Sequence, residues 1–169
     1  MALSMHSASV PIFVRILNNM SSWIDKAEQH AKARNFDANS YVGLRLAPDM
    51  LPFARQIQMA SDTAKLCVAR VAGVEAPKWA DDEASLDELR ARIRKTIEYV
   101  QSIPAAKIDG AEDREVVMPI GPDRSMTFTG ESYLTGFALP NFFFHVSMAY
   151  ALLRQGGVAL GKMDYLGAL

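Results

Sequence analysis

The sequence predicts an all-α fold, a four-helix bundle with a small β-hairpin between its third and fourth helices. Three observations carry that prediction. Four stretches repeat apolar residues at helical spacing, with several of their ends marked by capping residues or glycines. One change of pattern, from Glu115 to Thr129, reads as two short extended runs around Gly121-Pro122-Asp123-Arg124. The connection near residues 35–46 and the hairpin are long enough to allow a bundle with extended links rather than a simple up-and-down one.

The first helix is expected over about Val10 to Arg34. Ser9 is its N-cap candidate and Pro11 suits its first turn. Phe13, Ile16, Leu17, Met20, Trp23, Ile24 and Ala27 form its apolar face, and His30 reads as an exposed residue near its end. Pro48 is expected to open the second helix, with Asp49 and Pro52 in its first turn and Gly73 as its stop. Ala54, Ile57, Ser61, Ala64, Val68 and Val71 make a narrow seam of mostly small residues that lets neighbouring helices approach closely. Ser85-Leu86-Asp87-Glu88 is an S-x-x-E capping box opening the third helix, where Glu88 and Arg92 are spaced as an i,i+4 pair. Asp87, Arg90, Arg94 and Lys95 read as its solvated face.

The fourth helix is expected over about Gly130 to Gln155, capped by Thr129 and stopped by Gly156-Gly157. Tyr133, Leu134, Phe137, Phe144, Met148, Ala151 and Leu152 are its expected apolar face. Pro140 lies inside it and predicts a kink near Gly136, which either shapes a pocket or bends the helix around the core. The tail from Val158 is apolar enough to pack back on the bundle, and Met163-Asp164-Tyr165 shows no chemical logic of its own.

Composition narrows the function. The chain has 169 residues, 50% hydrophobic and 22% charged, which suits a single domain over 9–169 behind a disordered N-terminus at 1–8. Eighteen Lys and Arg against 19 Asp and Glu give a formal charge of −1, so a broad basic face for nucleic acid is not expected. One cysteine, Cys67, excludes an internal disulfide framework and reads as a buried hydrophobe. The N-terminus lacks a signal-peptide pattern. The densest apolar run, Phe137 to Leu153, is broken by Pro140, Asn141 and His145, so a cytoplasmic protein without a membrane span is expected. P-loop, dinucleotide and G-x-S-x-G motifs are missing.

Three histidines are a thin supply for metal or acid–base chemistry. The candidate site is therefore Asn141 and His145, four apart on one helical face among Phe142, Phe143, Phe144 and Met148. Gln56 and Gln58 flank the seam of the second helix, and Asp49 and Asp62 lie a turn or two away; any of these could face His145. His145 has three open readings: a structural histidine bonded between helices, a polar residue of a ligand pocket, or a metal ligand.

The runs Ala47-Pro48-Asp49-Met50-Leu51-Pro52 with Arg55-Gln56-Ile57-Gln58, and Gly136-Phe137-Ala138-Leu139-Pro140-Asn141-Phe142-Phe143-Phe144-His145, resemble a bacterial domain-of-unknown-function family. That family looks like a branch of the DinB/YfiT-like superfamily of four-helix-bundle metalloenzymes. The resemblance implies a histidine on the second helix and an H-x-x-x-H pair on the last. Aligned on Leu152-Leu153-Arg154-Gln155, the pair falls on Asn141 and His145, and the second-helix position falls on Gln56 or Gln58. Two of three metal positions thus depart from the pattern. The activities of thiol-dependent transferases and maleylpyruvate isomerase-like enzymes, which rely on that metal, are not carried over.

The leading expectation is a metal-poor inter-helix pocket around His145, Asn141, Gln56 and Gln58. It would bind a small, partly apolar ligand or serve an accessory, stress-related role. No cofactor is expected; were a divalent metal such as zinc or nickel held, His145 would be its ligand. The alternatives are a transferase- or hydrolase-type metal enzyme with a remodelled site, or one using His145 as general base, and a structural homodimer. The sequence does not decide whether the protein is an enzyme.

Overall fold

The computed structural model describes residues 3–167. Its long helices are α1 (Val10–Arg34), α2 (Phe53–Ala72), α3 (Leu86–Ser102) and α6 (Leu139–Gln155). Short elements fill the links: a 3-10 turn (Ala38–Gly43), α4 (Ala105–Ile108), the hairpin β1 (Glu115–Pro119) and β2 (Ser125–Thr129), α5 (Gly130–Tyr133) and α7 (Lys162–Leu166). α1 packs on α3, α3 on α2, α2 on α6 and α6 back on α1. The sequence neighbours α1 and α2 therefore sit across the diagonal of the bundle.

Several ends are set by local chemistry. Asn35 closes α1 at φ 57° and Gly73 closes α2 at φ 68°, both left-handed. The Ser85–Glu88 box is formed in both directions, with the Glu88 carboxylate accepting from the Ser85 N–H at 2.9 Å. α2 starts later than the sequence suggested: Pro52 is extended at ψ 168° and serves as the N-cap. A residue before proline is pushed out of the helical region, so Leu51 could not continue a helix begun at Pro48. The narrow seam is buried as expected, and Cys67 lies wholly inside, its thiol pushed up to about 12 by burial.

β1 and β2 pair antiparallel from Glu115↔Thr129 to Pro119↔Ser125. Val116 and Met118 point into the core and Val117 outward, the alternation a half-buried strand requires. Gly130 joins the hairpin to the last helix under a tight constraint. A Cβ there would stand 2.0 Å from the Ala111 carbonyl oxygen.

α5, a π-turn over Leu134–Ala138 and α6 form one continuous helix, Gly130–Gln155. Pro140 lacks an N–H and crowds the carbonyl one turn back, and the helix answers by widening over that turn. The extra residue moves the buried face by one position. Phe142, Val146, Ala149, Leu152 and Leu153 enter the core, whereas the expected Phe144 is 51% exposed and Met148 only half-buried. By length and composition this 26-residue helix could cross a membrane, with mean hydropathy 1.3 in its most apolar window, yet it forms one wall of the bundle.

Four further expectations are revised. Residues 1–8 were expected to be disordered, but Met5 is in the core and the His6 N–H donates to Asp109 Oδ1 at 2.8 Å; residues 1–2 lie outside the described residues. His30 is half-buried, bonded to the Tyr41 hydroxyl and edge-on to Phe36. Arg90 is no free surface residue: it bridges Asp25 and Glu28 of α1 at 3.0 and 2.7 Å. Met163-Asp164-Tyr165 is structural. Tyr165 stacks on Trp23 at 5.7 Å, the Trp23 indole donates to the Asp164 carbonyl, and Lys26 pairs with the Asp164 carboxylate at 2.6 Å.

The largest revision concerns Arg92. Glu88 is spent on the capping box, and Arg92 turns inward, its side chain 1% exposed. It bonds Asp62 at 2.9 Å, Asp81 at 3.0 Å, Glu83 at 2.9 Å and the Ala80 carbonyl at 2.8 Å. Trp79 lies beside it, with Lys65 and Lys95 ammonium groups 4.3 and 4.4 Å from its ring centre. The acidic loop between α2 and α3 is thus wrapped onto a buried cation. Breaking a buried charge cluster by removing one partner costs about 3–5 kcal/mol. Arg92→Met is expected to lose about 3 kcal/mol in urea unfolding and to red-shift Trp79 emission as the loop loosens. Unchanged stability and emission would show that the loop is held by something else.

Candidate functional site

The seam between α2 and α6 brings together three of the four candidate residues. Asn141 Nδ2 donates to Thr63 Oγ1 at 2.8 Å, and His145 Nδ1 lies 2.8 Å from Gln56 Oε1. The later residue of one helix pairs with the earlier residue of the other, so α2 and α6 run in opposite directions. Gln58, the fourth candidate, faces elsewhere. Its carboxamide joins Glu83 at 2.7 Å and Arg55 at 2.7 Å, on the edge of the Arg92 cluster. Gln56 therefore holds the helix-two register opposite His145. Asp62, a possible neighbour on spacing grounds, is turned instead to Lys65 and Arg92.

The proton on His145 can be placed from its partner. Gln56 Nε2 donates to the Leu51 carbonyl at 3.0 Å, which fixes the amide with Oε1 toward the imidazole. Oε1 can only accept, so Nδ1 carries the proton and donates. Nε2 is left with its lone pair and has no protein partner among the described residues. Burial lowers the His145 pKa from its ordinary 6.5, so the ring is neutral at pH 7. Asn141 is set in the same way. The Thr63 hydroxyl donates to the Met59 carbonyl at 2.7 Å and accepts from Asn141 Nδ2, leaving Asn141 Oδ1 as the free acceptor.

A cleft of about 220 Å³ opens beside this seam, walled by Met59, Leu66, Met118 and Phe137, with Thr63 and Asn141 among its polar lining. Asn141 lines it; His145, one turn further on, does not. Tyr133 and Arg70 complete it, the Arg70 guanidinium donating to the Tyr133 hydroxyl at 2.7 Å. Thr63 and Arg70 were not singled out in the sequence, and Tyr133 was read only as part of the last helix's apolar face. The signal was the 3–4 stepping of Met59, Thr63, Leu66 and Arg70, which defines a second face of α2 beside the small-residue seam.

Resident-metal chemistry can be tested on this donor set. Zinc- or nickel-type centres take three or more strong donors from His, Cys, Asp or Glu. Here two of the three pattern positions are carboxamides. Among the described residues no group of three or more His, Cys, Asp or Glu could hold a metal ion. The residues present do not fit a resident zinc or nickel ion. Gln56 instead takes the part of an orienting group, fixing the imidazole tautomer.

The comparisons with known proteins agree with the fold. The family model described as Domain of unknown function (DUF1993) matches residues 5–166. The crystal structure of a DinB family member protein from Shewanella denitrificans matches with a TM-score of 0.90 at 37% sequence identity, over 97% of this chain and 92% of that chain. No curated protein matches. Fold and site together define a DinB/YfiT-like four-helix bundle that lacks an intact metal triad. Within that class the chain belongs to the DUF1993 family, which matches almost its whole length.

A pH dependence follows from His145. Because its folded pKa is lowered, the unfolded chain takes up the proton first as the pH drops. The stability it contributes is full above the ordinary value of 6.5 and is lost as the pH falls below it. Urea midpoints measured at roughly pH 7.5 and 5.5 are expected to fall further in the parent than in His145→Gln. Equal falls would mean that His145 titrates as freely in the folded protein as in the unfolded chain.

Proposed function

We propose that the protein is a small-molecule-binding bundle whose site is the cleft between α2, the hairpin and the last helix, working without a resident metal. The observation that carries this reading is the Asn141–Thr63 pair on the cleft lining, facing a mostly apolar wall. Ligand sites are commonly apolar cavities with a few fixed polar groups. Here the fixed groups are an amide oxygen, a phenol and a guanidinium. The volume lies below the about 300–1,000 Å³ of drug-sized pockets, which suits a compact molecule.

The His145–Gln56 pair supports the same reading from the neighbouring turn. It satisfies a polar group at the helix seam and holds α6 in register on α2, so Asn141 is presented at a fixed height. The two carboxamides at the pattern positions favour hydrogen bonding over metal ligation.

The test is a titration of isotope-labelled protein with phenylbutanol, followed by amide chemical shifts. Saturable shifts are expected at Thr63, Phe137 and Asn141, and Leu66→Trp is expected to abolish them by filling the cleft. Absence of saturable shifts with both phenylbutanol and phenylbutyrate would overturn the proposal. So would stoichiometric metal in protein purified without added metal, if His145→Ala removed it.

A further inference from the structure

Resting on the cleft reading above, we infer that the ligand is a carboxylate with an apolar body, and that Arg70 holds its head group. Arg70 sits where two clefts meet. The narrow one is the Asn141 cleft. The second, of about 720 Å³, runs along the outer side of α2 under the loop after it, with Ala69, Val74, Pro77 and Trp79 among its lining. Leu66, Arg70 and Pro119 line both. A molecule spanning this junction meets apolar surface on either side and one guanidinium in between.

The Arg70 guanidinium stands on the cleft wall without the carboxylate partners that hold Arg55, Arg90 and Arg92. Arg90 and Arg92 are each bound by two or more carboxylates. Arg70 has only the neutral Tyr133 hydroxyl, through Nη1, and its charge lies 5.6 Å from the Tyr133 ring centre. Among the described residues no carboxylate pairs with it, and neither Nε nor Nη2 has a protein partner. Those two nitrogens form the edge that takes a carboxylate through two parallel hydrogen bonds. The Tyr133 oxygen, accepting from Nη1, keeps Arg70 in place and still has its own proton to donate.

The surrounding charges favour an anion. Lys65 and Lys78 line the wide cleft with Arg70, against one carboxylate, Glu75. In the narrow cleft the one carboxylate is Asp62, already shared by Lys65 and Arg92 at 2.7 and 2.9 Å. An arriving carboxylate therefore meets a cation with open donors and a carboxylate whose charge is answered. At the far side Asn141 Oδ1 remains as an acceptor, which selects for a donor such as a hydroxyl or amide on the ligand's body.

The experiment compares phenylbutyrate with phenylbutanol, which share a body and differ in the head group. Titration calorimetry on the parent is expected to show the acid binding about ten- to a hundredfold more tightly, the range for a charge-assisted pair. Arg70→Gln is expected to bring the two within a factor of about two. Arg70→Lys, which keeps the charge without the fork, is expected to restore part of the preference. Equal binding of acid and alcohol by the parent would overturn the carboxylate assignment and leave the cleft reading standing. A preference that survives in Arg70→Gln would overturn the role of Arg70. Failure of both compounds to bind would overturn both. The comparison in the parent needs no variant, so a folding defect in Arg70→Gln would not shield the proposal.

Discussion

An arginine taken out of water has to find its counter-charges inside the protein, and most of this architecture follows from where Arg92 finds them. Asp62 comes from α2, Asp81 and Glu83 from the loop, and Arg92 itself from α3. Burial alone would push the Asp81 carboxyl up, but hydrogen bonds from Arg55 and Arg92 hold it below its ordinary value. That cluster draws the loop after α2 down onto the bundle, and Val74, Pro77 and Trp79 of that loop then wall the wide cleft. With one cysteine, Cys67, and so no internal disulfide to staple it, the loop is held by charge and by the cations gathered at Trp79. The cleft is thus built as much by the acidic loop as by the helices.

On the other side of α2 the same helix serves a different purpose. Its small-residue seam lets α6 approach closely enough for Thr63 and Gln56 to reach across. Gln56, Asn141 and His145, the positions on which the resemblance places the metal pattern, are polar and paired. A carboxamide that orients an imidazole is chemically distinct from one that fails to bind a metal. Gln56 fixes which nitrogen of His145 holds the proton, and Thr63 fixes which end of Asn141 faces outward. The seam orients its polar groups through hydrogen bonds between the two helices.

Much of the fold was legible because its signals are local. The Ser85–Glu88 box, Gly73, the Gly-Pro turn and Thr129 each act within a few residues, and each does what its chemistry dictates. The candidate site was legible for a related reason: Asn141 and His145 are one turn apart, and two polar residues in an apolar run must find partners. What escaped were choices between partners. Arg92 had a neighbour at the right spacing in Glu88, but Glu88 does more at the helix start, and the loop carboxylates are invisible to periodicity. Arg70 escaped because an arginine near the end of a helix ordinarily reads as solvated. Phe144 was placed inside by a period that assumes a regular helix, and the π-turn broke that assumption.

The widened turn makes the last helix a measuring device. From Gly130, where the Ala111 carbonyl leaves no room for a side chain, the chain must count through Leu134–Ala138 before Asn141 and His145 arrive opposite α2. One residue of helix is about 100° of rotation. The widened turn holds one residue more than an α-turn for about the same rotation, so deleting a single residue between Gly130 and Pro140 would restore a regular helix and leave both side chains facing α2. This stretch therefore absorbs the loss of one residue, whereas the loss of a second would rotate Asn141 and His145 by about 100°, away from Thr63 and Gln56.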